Sequence, residues 1–294
     1  MNITLLDGGM GQELQARSTN KPTGLWSTQI LMDEPNLIRD VHRDYFAAGA
    51  EIATASSYAI HLSRLTEHGI GDRFEELHTL ACQLAVEARD AHGSGRVAGS
   101  LGPAGWSYRP DLAPSVEMAA DYFGRIARLH EPYVDLLILE TMSSIDEARG
   151  ALMGASVIDK PIWLAVSVDD DDGTKLRSAE NVADILPLAR EFNVAALLVN
   201  CSIPEAVSQA IEVLSGHGIP TGGYANGFTK IPTEFKQLNS SVDILESRTD
   251  LGPEKYAAFV DQWIENGATI VGGCCEVGPD HIRLLRQQLD ARTV

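Results

Sequence analysis

Residues 136–147 read LLILETMSSIDE, and this stretch contains a strand followed at once by the start of a helix. The four apolar residues 136–139 form a run with the length and composition of a buried strand. The run ends at Glu140, and Ser144 then stands three residues before Glu147, which is the pattern of a capping box at a helix N-terminus. A strand that leads directly into a helix is the repeating unit of a parallel sheet with crossover helices.

The same unit recurs along the whole chain. Short apolar runs alternate with stretches of helical period, such as residues 36–48, which carry an apolar face and end before Gly49. After the sixth run, Ser202 and Glu205 predict a second capped helix. The eight predicted strands are residues 3–6, 51–55, 96–100, 136–139, 162–168, 195–199, 220–224 and 269–271.

Eight strand and helix units without a polar or Pro/Gly-rich linker between them indicate one domain. We therefore predict an α/β fold over residues 1–294, a single closed (β/α)8 TIM barrel with parallel strands. An open doubly wound sheet is the alternative. The glycines Gly8, Gly9 and Gly11 lack the Gly-x-Gly-x-x-Gly spacing of a dinucleotide site in such a sheet.

The composition excludes several classes of partner. The 294 residues are 44% hydrophobic and 22% charged, as in ordinary globular proteins. The 23 Lys and Arg against 41 Asp and Glu give a net charge of −18, which repels nucleic acid and anionic membranes, so neither is expected as a partner. The N-terminal apolar run from Met1 stops at Asp7, and we predict a cytoplasmic protein. The oligomeric state is left open.

The residues that end the predicted strands carry the functional prediction, because barrel enzymes place their chemistry at the carboxyl ends of the strands. Cys201 ends the sixth strand, and Cys274 and Cys275 follow Gly272 and Gly273 at the end of the eighth. One strand separates these two ends, so the three thiolates can converge. The glycines are expected to permit the tight turn that this requires.

Three thiolates predict a catalytic zinc (Zn²⁺) site. Zinc binds sulfur at about 2.3 Å in a tetrahedron, and three protein ligands leave the fourth position for water or substrate. From the residues alone, two alternatives stay open: buried cysteines that act as small hydrophobes, and a vicinal disulfide between Cys274 and Cys275. Cys82, inside a predicted helix, is interpreted as a core residue.

Taken together, these motifs resemble the homocysteine S-methyltransferases over nearly the whole chain. The most specific matches are residues 199–202 (VNCS) and residues 272–275 (GGCC), the latter followed by residues 279–282 (PDHI). The weaker matches are residues 6–11 with Glu13 and Leu14, 54–58, 98–103 and 140–141.

The resemblance implies a barrel that binds zinc through Cys201, Cys274 and Cys275, with homocysteine as the methyl acceptor. The implied reaction moves a methyl group from a small onium donor to the zinc-bound thiolate of L-homocysteine and gives methionine. S-methylmethionine or S-adenosylmethionine is the favoured donor. The alternatives are betaine or dimethylsulfoniopropionate as donor, or a non-catalytic barrel that binds zinc or a thiol. A zinc hydrolase is disfavoured by the all-sulfur ligand set.

The resemblance also assigns the binding of the acceptor. By position, Glu140 corresponds to the carboxylate that holds the ammonium group of homocysteine. Asp7, with the amides of Gly8 and Gly9, corresponds to the turn that receives its amino-acid end. Beyond the metal site no catalytic residue is implied, since a methyl on an onium centre leaves behind a neutral group and needs positioning more than proton transfer.

The donor is not identified by the resemblance. Residues 224–228 read YANGF where many members have Tyr-Pro-Asn-Ser-Gly, so the loop after the seventh strand departs from the family pattern. The chain carries no cobalamin-binding or folate-binding module after its eighth helix, and direct transfer from a small donor is expected. Four aromatic residues on predicted rim loops could hold an onium group: Trp26, Tyr58, Trp106 and Tyr108.

Overall fold

The computed structural model describes residues 2–20, 24–232 and 245–292, and its centre is one eight-stranded parallel sheet. The strands are β1 (Thr4–Leu5), β2 (Ile52–Thr54), β3 (Arg96–Leu101), β4 (Leu136–Met142), β5 (Ile162–Val166), β6 (Ala196–Asn200), β7 (Thr221–Tyr224) and β8 (Ile270–Val271).

The sheet closes into a barrel. Its strands follow the order β1-β8-β7-β6-β5-β4-β3-β2, and a parallel bridge between Leu6 and Ile52 joins the two ends of this order. Two backbone hydrogen bonds support the closure, from Glu51 N to Leu5 O at 2.8 Å and from Asp7 N to Ile52 O at 3.1 Å. The predicted (β/α)8 barrel is confirmed, and the open doubly wound sheet is wrong.

Helices surround the barrel. In the described part of the chain, the α-helices are α1 (Met10–Arg17), α2 (Ser27–Asp33), α3 (Pro35–Ala48), α4 (Leu62–Glu67), α5 (Phe74–His92), α6 (Val116–His130), α7 (Ile145–Ala155), α8 (Ile185–Glu191), α9 (Pro204–Leu214), α10 (Pro253–Glu265) and α11 (Pro279–Arg292). None of these helices is long and apolar enough to cross a membrane.

The strand β4 is longer than predicted and irregular at its end. Its pairing with β5 shifts register between Leu139 and Met142, and Thr141 within this shift has φ 65°. A register shift of this kind turns the following side chains, and it is common next to active sites. Glu140 therefore lies inside the irregular end of a strand rather than after it.

The two predicted capping boxes have different outcomes. At α7 the prediction is confirmed, because Ser144 Oγ accepts a hydrogen bond from Glu147 N at 3.1 Å. At α9 it is wrong, because the N-cap is Ile203 and no side chain caps the helix. Ser202 Oγ instead exchanges hydrogen bonds with the backbone of Val168 at 3.0 and 3.1 Å.

The helix α3 packs against β2 and reaches the turn that follows β1. Its apolar face is buried as predicted, and it ends at Gly49, which has φ 107°. Tyr45 on this helix is fully buried, and its hydroxyl reaches Gly9 O at 3.1 Å and Val277 O at 3.2 Å. The helix thereby joins the turn after β1 to the segment after β8.

Candidate active site

Three cysteine side chains converge at the carboxyl end of the barrel. Cys201 directly follows β6, and Cys274 and Cys275 follow β8. The Sγ atoms of Cys274 and Cys201 lie 2.9 Å apart, those of Cys201 and Cys275 3.9 Å, and those of Cys274 and Cys275 4.0 Å. Since a disulfide bond is about 2.05 Å long, no vicinal disulfide is present. Cys82 is buried in the core, as predicted.

The geometry of this cluster fits a tetrahedral metal site. Sulfurs at about 2.3 Å from one ion stand about 3.8 Å apart along the edges of a tetrahedron. Two of the three Sγ separations lie within 0.2 Å of that value, and the separation between Cys201 and Cys274 would have to widen. Within residues 2–20, 24–232 and 245–292, no other group of three or more His, Cys, Asp or Glu side chains brings its ligand atoms so close together.

The two glycines before Cys274 are needed for space. A Cβ at Gly272 would lie 2.5 Å from Leu6 Cβ, and one at Gly273 would lie 2.1 Å from Val277 Cγ1. The left-handed backbone conformation falls elsewhere, on Cys201, whose φ is 48°. The expected reason for the glycines, a tight turn, is therefore replaced by close packing, against Leu6 after β1 and against Val277 after β8.

The sulfur cluster stabilises a thiolate at Cys201. Hydrogen bonds from Cys274 and then from Cys275 hold the pKa of the Cys201 thiol well below its usual range. Tyr108 contributes a further hydrogen bond, from its hydroxyl to Cys201 Sγ at 3.1 Å. The pKa values of the Cys274 and Cys275 thiols are raised in turn, chiefly by their hydrogen bonds to Cys201.

Glu140 lines the same pocket as the three cysteines. Its carboxylate is buried, and it accepts hydrogen bonds from Ser100 Oγ and, at 3.2 Å, from the hydroxyl of Tyr224. Burial raises the pKa of Glu140 to about 7. Both donors are neutral, and no Lys or Arg within residues 2–20, 24–232 and 245–292 forms an ion pair with this carboxylate.

Asp7, at the end of β1, is held by one residue of β2. Its two carboxylate oxygens accept from Thr54 N at 2.6 Å and Thr54 Oγ1 at 2.9 Å, and burial raises the pKa of Asp7 to about 7. The following turn packs closely, because a Cβ at Gly9 would lie 2.5 Å from Cys274 O. The amide of Gly9 already donates to Val277 O at 2.9 Å, whereas Gly8 lines the pocket beside it.

The β4 and β6 strand ends are joined by a buried side chain that the sequence interpretation missed. Asn200 Oδ1 accepts from Thr141 N, and Asn200 Nδ2 donates to Thr141 Oγ1, both at 2.9 Å. Thr141 follows Glu140 and Asn200 precedes Cys201 in the chain. The pair thus connects the residue next to the carboxylate with the residue next to the sulfur cluster.

Aromatic side chains form part of the pocket wall. Of the four predicted aromatic residues, Trp26, Tyr58 and Tyr108 line the pocket, and Trp106 stacks on Arg64, whose Cζ lies 5.5 Å from the ring centroid. Phe228, which the sequence interpretation did not single out, also lines the pocket.

Two histidines near the rim, His61 and His281, have packing roles. His61 is buried, and desolvation lowers its pKa to about 3. His281 packs its ring edge-on against Tyr256, with the ring centroids 5.8 Å apart.

Comparison with known proteins identifies the family. The homocysteine S-methyltransferase model matches residues 4–289. Homocysteine S-methyltransferase YbgG of Bacillus subtilis is 30% identical, over 96% of this chain and 92% of that protein. Homocysteine S-methyltransferase of Escherichia coli is also 30% identical, over 97% of this chain and 94% of that protein.

A solved structure agrees with these matches. The crystal structure of the homocysteine methyltransferase MmuM from Escherichia coli, in its metallated form, superposes with a TM-score of 0.81 at 28% identity. The superposition covers 98% of this chain and 96% of that one. This chain therefore belongs to the homocysteine S-methyltransferase family and is a methyltransferase that acts on small-molecule substrates.

Proposed function

We propose that this enzyme is zinc-dependent and transfers a methyl group from a small onium donor to the sulfur of L-homocysteine, giving methionine. The observation that carries the proposal is the convergence of three Sγ atoms in a pocket that also contains two buried carboxylates, Asp7 and Glu140. The sulfur cluster can bind a thiol through a metal ion, and a buried carboxylate can bind an ammonium group.

In this proposal Cys201, Cys274 and Cys275 hold the zinc ion. When bound, zinc supplies the acidity that keeps an acceptor thiol deprotonated at neutral pH. An all-sulfur ligand set supports this role over hydrolysis, because zinc sites that activate water usually have His and carboxylate ligands. The metallated form of the MmuM relative is consistent with a metal in this fold.

Glu140 binds the ammonium group of homocysteine in this scheme. Burial favours the protonated form of Glu140 in the free protein. The ammonium group of homocysteine brings the positive charge that favours the ionised carboxylate when the acceptor binds. Asp7 and the turn through Gly8 and Gly9 receive the amino-acid end of the acceptor. Positioning both ends of homocysteine would fix the direction of its sulfur.

The donor is an onium compound, with S-methylmethionine or S-adenosylmethionine favoured over betaine or dimethylsulfoniopropionate. In the transfer, a bond forms between the homocysteine sulfur and the methyl carbon while the bond from that carbon to the onium centre breaks. The electron pair of the broken bond stays on the leaving group, which departs neutral, so no general base is needed. The rings of Tyr58 and Phe228 suit a positively charged donor. Trp26 and Tyr108 also line the pocket, but one face of each ring already carries an arginine, Arg64 or Arg177.

The proposal also covers the domain organisation, location and partners of the protein. Residues 1–294, which include segments outside the described residues, would form one homocysteine-binding barrel domain. A cytoplasmic location remains a prediction, and the net charge of −18 supports the absence of nucleic-acid and membrane partners.

A donor screen tests the proposal. Zinc-loaded protein is incubated with L-homocysteine and each of the four donors, and methionine is measured. We expect methionine with at least one sulfonium donor. Cys201→Ala should lose both the bound zinc and methionine formation, whereas Cys82→Ala, which removes a buried cysteine outside the cluster, should keep both.

Two outcomes would contradict the proposal. Full activity and full metal content in Cys201→Ala would show that the cluster is not the zinc site. Bound zinc without methionine from any of the four donors would favour a barrel that binds zinc or thiols without turnover.

A further inference from the structure

A buried ion pair lies behind the sulfur cluster. Arg177 binds Asp170 through two parallel contacts, Nη1 to Oδ2 at 2.9 Å and Nη2 to Oδ1 at 3.0 Å, and the two side chains are 2% and 1% exposed. Arg177 Nε also donates to Ser167 Oγ at 3.0 Å. Asp170 accepts from the amides of Ile203 and Ile231 at 3.2 and 3.1 Å. Because buried charges are costly unless they are bonded this fully, the pair holds one fixed geometry.

The free face of the guanidinium is directed at Tyr108. Arg177 Cζ lies 4.9 Å from the centroid of the Tyr108 ring, and the hydroxyl of that ring donates to Cys201 Sγ. The same guanidinium contacts the backbone of Cys201, from Nη2 to the carbonyl oxygen at 3.4 Å. One buried cation therefore contacts Cys201 directly and, through a tyrosine, also reaches its sulfur.

The two residues that Arg177 contacts in this way, Cys201 and Tyr108, both have a left-handed backbone conformation. Cys201 has φ 48° and Tyr108 has φ 63°. Non-glycine residues in this region persist only where the surrounding structure enforces them. The contacts of Arg177 to the ring of one residue and the carbonyl of the other provide such enforcement.

A hydrogen bond to a thiolate has an electronic consequence as well as a geometric one. The donated proton offsets part of the charge on sulfur and lowers the energy of its lone pairs. A cation over the face of the phenol withdraws electron density from the ring and strengthens its O–H as a donor. The contacts of Tyr108 and Arg177 thus act on Cys201 in the same direction.

We propose that Tyr108 and the Arg177–Asp170 pair are positioning residues for Cys201, which fix the direction of its Sγ and reduce the charge that this sulfur donates to a bound metal. The inference rests on the proposed function, in which Cys201 is a metal ligand. Outer partners of metal ligands in general change metal affinity or activity by roughly 10- to 100-fold when they are replaced.

Cobalt(II) in place of zinc provides a readout that does not depend on activity. Tyr108→Phe keeps the ring beneath Arg177 and removes only the O–H. We expect its thiolate-to-cobalt charge-transfer band to move to longer wavelength, because the sulfur then donates more charge. Its cobalt affinity, from competition with a chelator, should fall roughly tenfold, because losing the fixed direction of Sγ outweighs the stronger donation. Tyr122→Phe is the matched control, because the Tyr122 hydroxyl bonds to the backbone of Leu62 and Tyr122 does not line the pocket, and its band position should equal that of the unmodified enzyme.

A second variant tests the ion pair. Removing Arg177 altogether would leave Asp170 buried without its counter-charge and endanger folding, so Arg177→Lys is used, which keeps the charge but loses the planar, two-pronged contact. It should shift the band in the same direction as Tyr108→Phe. If Arg177→Lys does not fold, Tyr108→Phe decides alone.

The cobalt spectra distinguish a failure of the proposed metal site from a failure of the positioning role alone. Unmodified protein that binds cobalt without a thiolate charge-transfer band would overturn the proposed metal site and this inference together. A normal band in the unmodified protein that stays at the same position and affinity in Tyr108→Phe would overturn this inference only.

Discussion

The sulfur side and the carboxylate side of the pocket are built in contrasting ways. On the sulfur side, the Sγ atoms of Cys201, Cys274 and Cys275 contact one another directly. On the carboxylate side, Asp7 and Glu140 are each bonded to neutral donors from other strands. No Lys or Arg of the described ranges forms an ion pair with either carboxylate. One side is arranged for an ion that several residues share, and the other for the charge of a single small ligand.

The two sides are joined by the pair of Asn200 and Thr141, which connects the β6 end with the β4 end. This connection raises the question of whether the two sides act independently. The following variants separate them, beginning with the largest expected effect.

Cys274→Ala should disable the sulfur side and spare the other. We expect loss of the bound metal and a fall in methionine formation on the order of 100-fold or more, beyond the range for residues that only support a ligand. Binding of methionine, which has the same amino-acid end but no free thiol, should change less than about threefold, since Glu140 keeps its donors. Metal analysis and calorimetric titration with methionine measure the two effects. A parallel collapse of methionine binding would show that the sides are not separable.

Glu140→Gln should have the opposite pattern. A hydrogen bond to a charged group is worth about 1.5–3 kcal/mol, so methionine affinity should fall roughly 10- to 150-fold. Metal content should not change. Glu147→Gln is the matched control, because Glu147 is also buried, burial also raises its pKa to about 7, and it bonds to the backbone of Ser143 at the start of α7. Equal losses of affinity in both variants would argue against a role for Glu140 in binding.

The pH dependence of methionine binding should report the carboxylate side. Burial raises the pKa of Glu140 to about 7 in the free protein, and only the ionised form pairs with an ammonium group. Affinity should therefore be highest above pH 7 and fall by up to about tenfold per pH unit as the pH drops below it. Glu140→Gln should make this profile shallower and leave the part that Asp7 contributes, since burial raises the pKa of Asp7 to about 7 as well. Affinity that rises on acidification would contradict the assignment.

Asn200→Ala should have the smallest effect on either affinity, but it should lower metal affinity, methionine affinity and stability together. Losing its bonds to Thr141 leaves a buried amide without a partner, which should lower the free energy of unfolding by about 1–3 kcal/mol. Metal affinity and methionine affinity should each fall a few-fold, because both strand ends lose support. Asn193→Ala is the control: Asn193 is exposed and has a positive φ of 48°, unlike Asn200, so stability should fall in this variant too but both affinities should stay the same. Thermal denaturation and the two titrations provide the measurements.

The barrel and the sulfur cluster were predictable because both follow from short-range pattern combined with topology. The apolar runs mark the strands, and parallel strands in a closed barrel present their carboxyl ends at one rim, so Cys201 and Cys274 had to meet there. The contact between Tyr108 and Cys201 depends on the path of a long loop, which residue type does not determine.

The buried pair of Arg177 and Asp170 shows a second reason why part of the site could not be predicted from the sequence. Residues 169–172 are four consecutive aspartates, a pattern that favours a solvated loop. In the structure this segment folds back on itself through antiparallel bridges of Val168 with Leu176 and Lys175 with Asn181, which bring Arg177 inside. A similar competition explains the missing cap at α9, where Ser202 bonds to Val168 instead of the helix.

In the proposed site, the three cysteines hold a metal ion and leave one coordination position for the acceptor thiol. X-ray absorption at the zinc edge tests this most directly, because it counts sulfur neighbours at about 2.3 Å. We expect three sulfurs in the substrate-free enzyme and four after L-homocysteine is added. A shell of nitrogen and oxygen neighbours, or a sulfur count that homocysteine does not change, would contradict it.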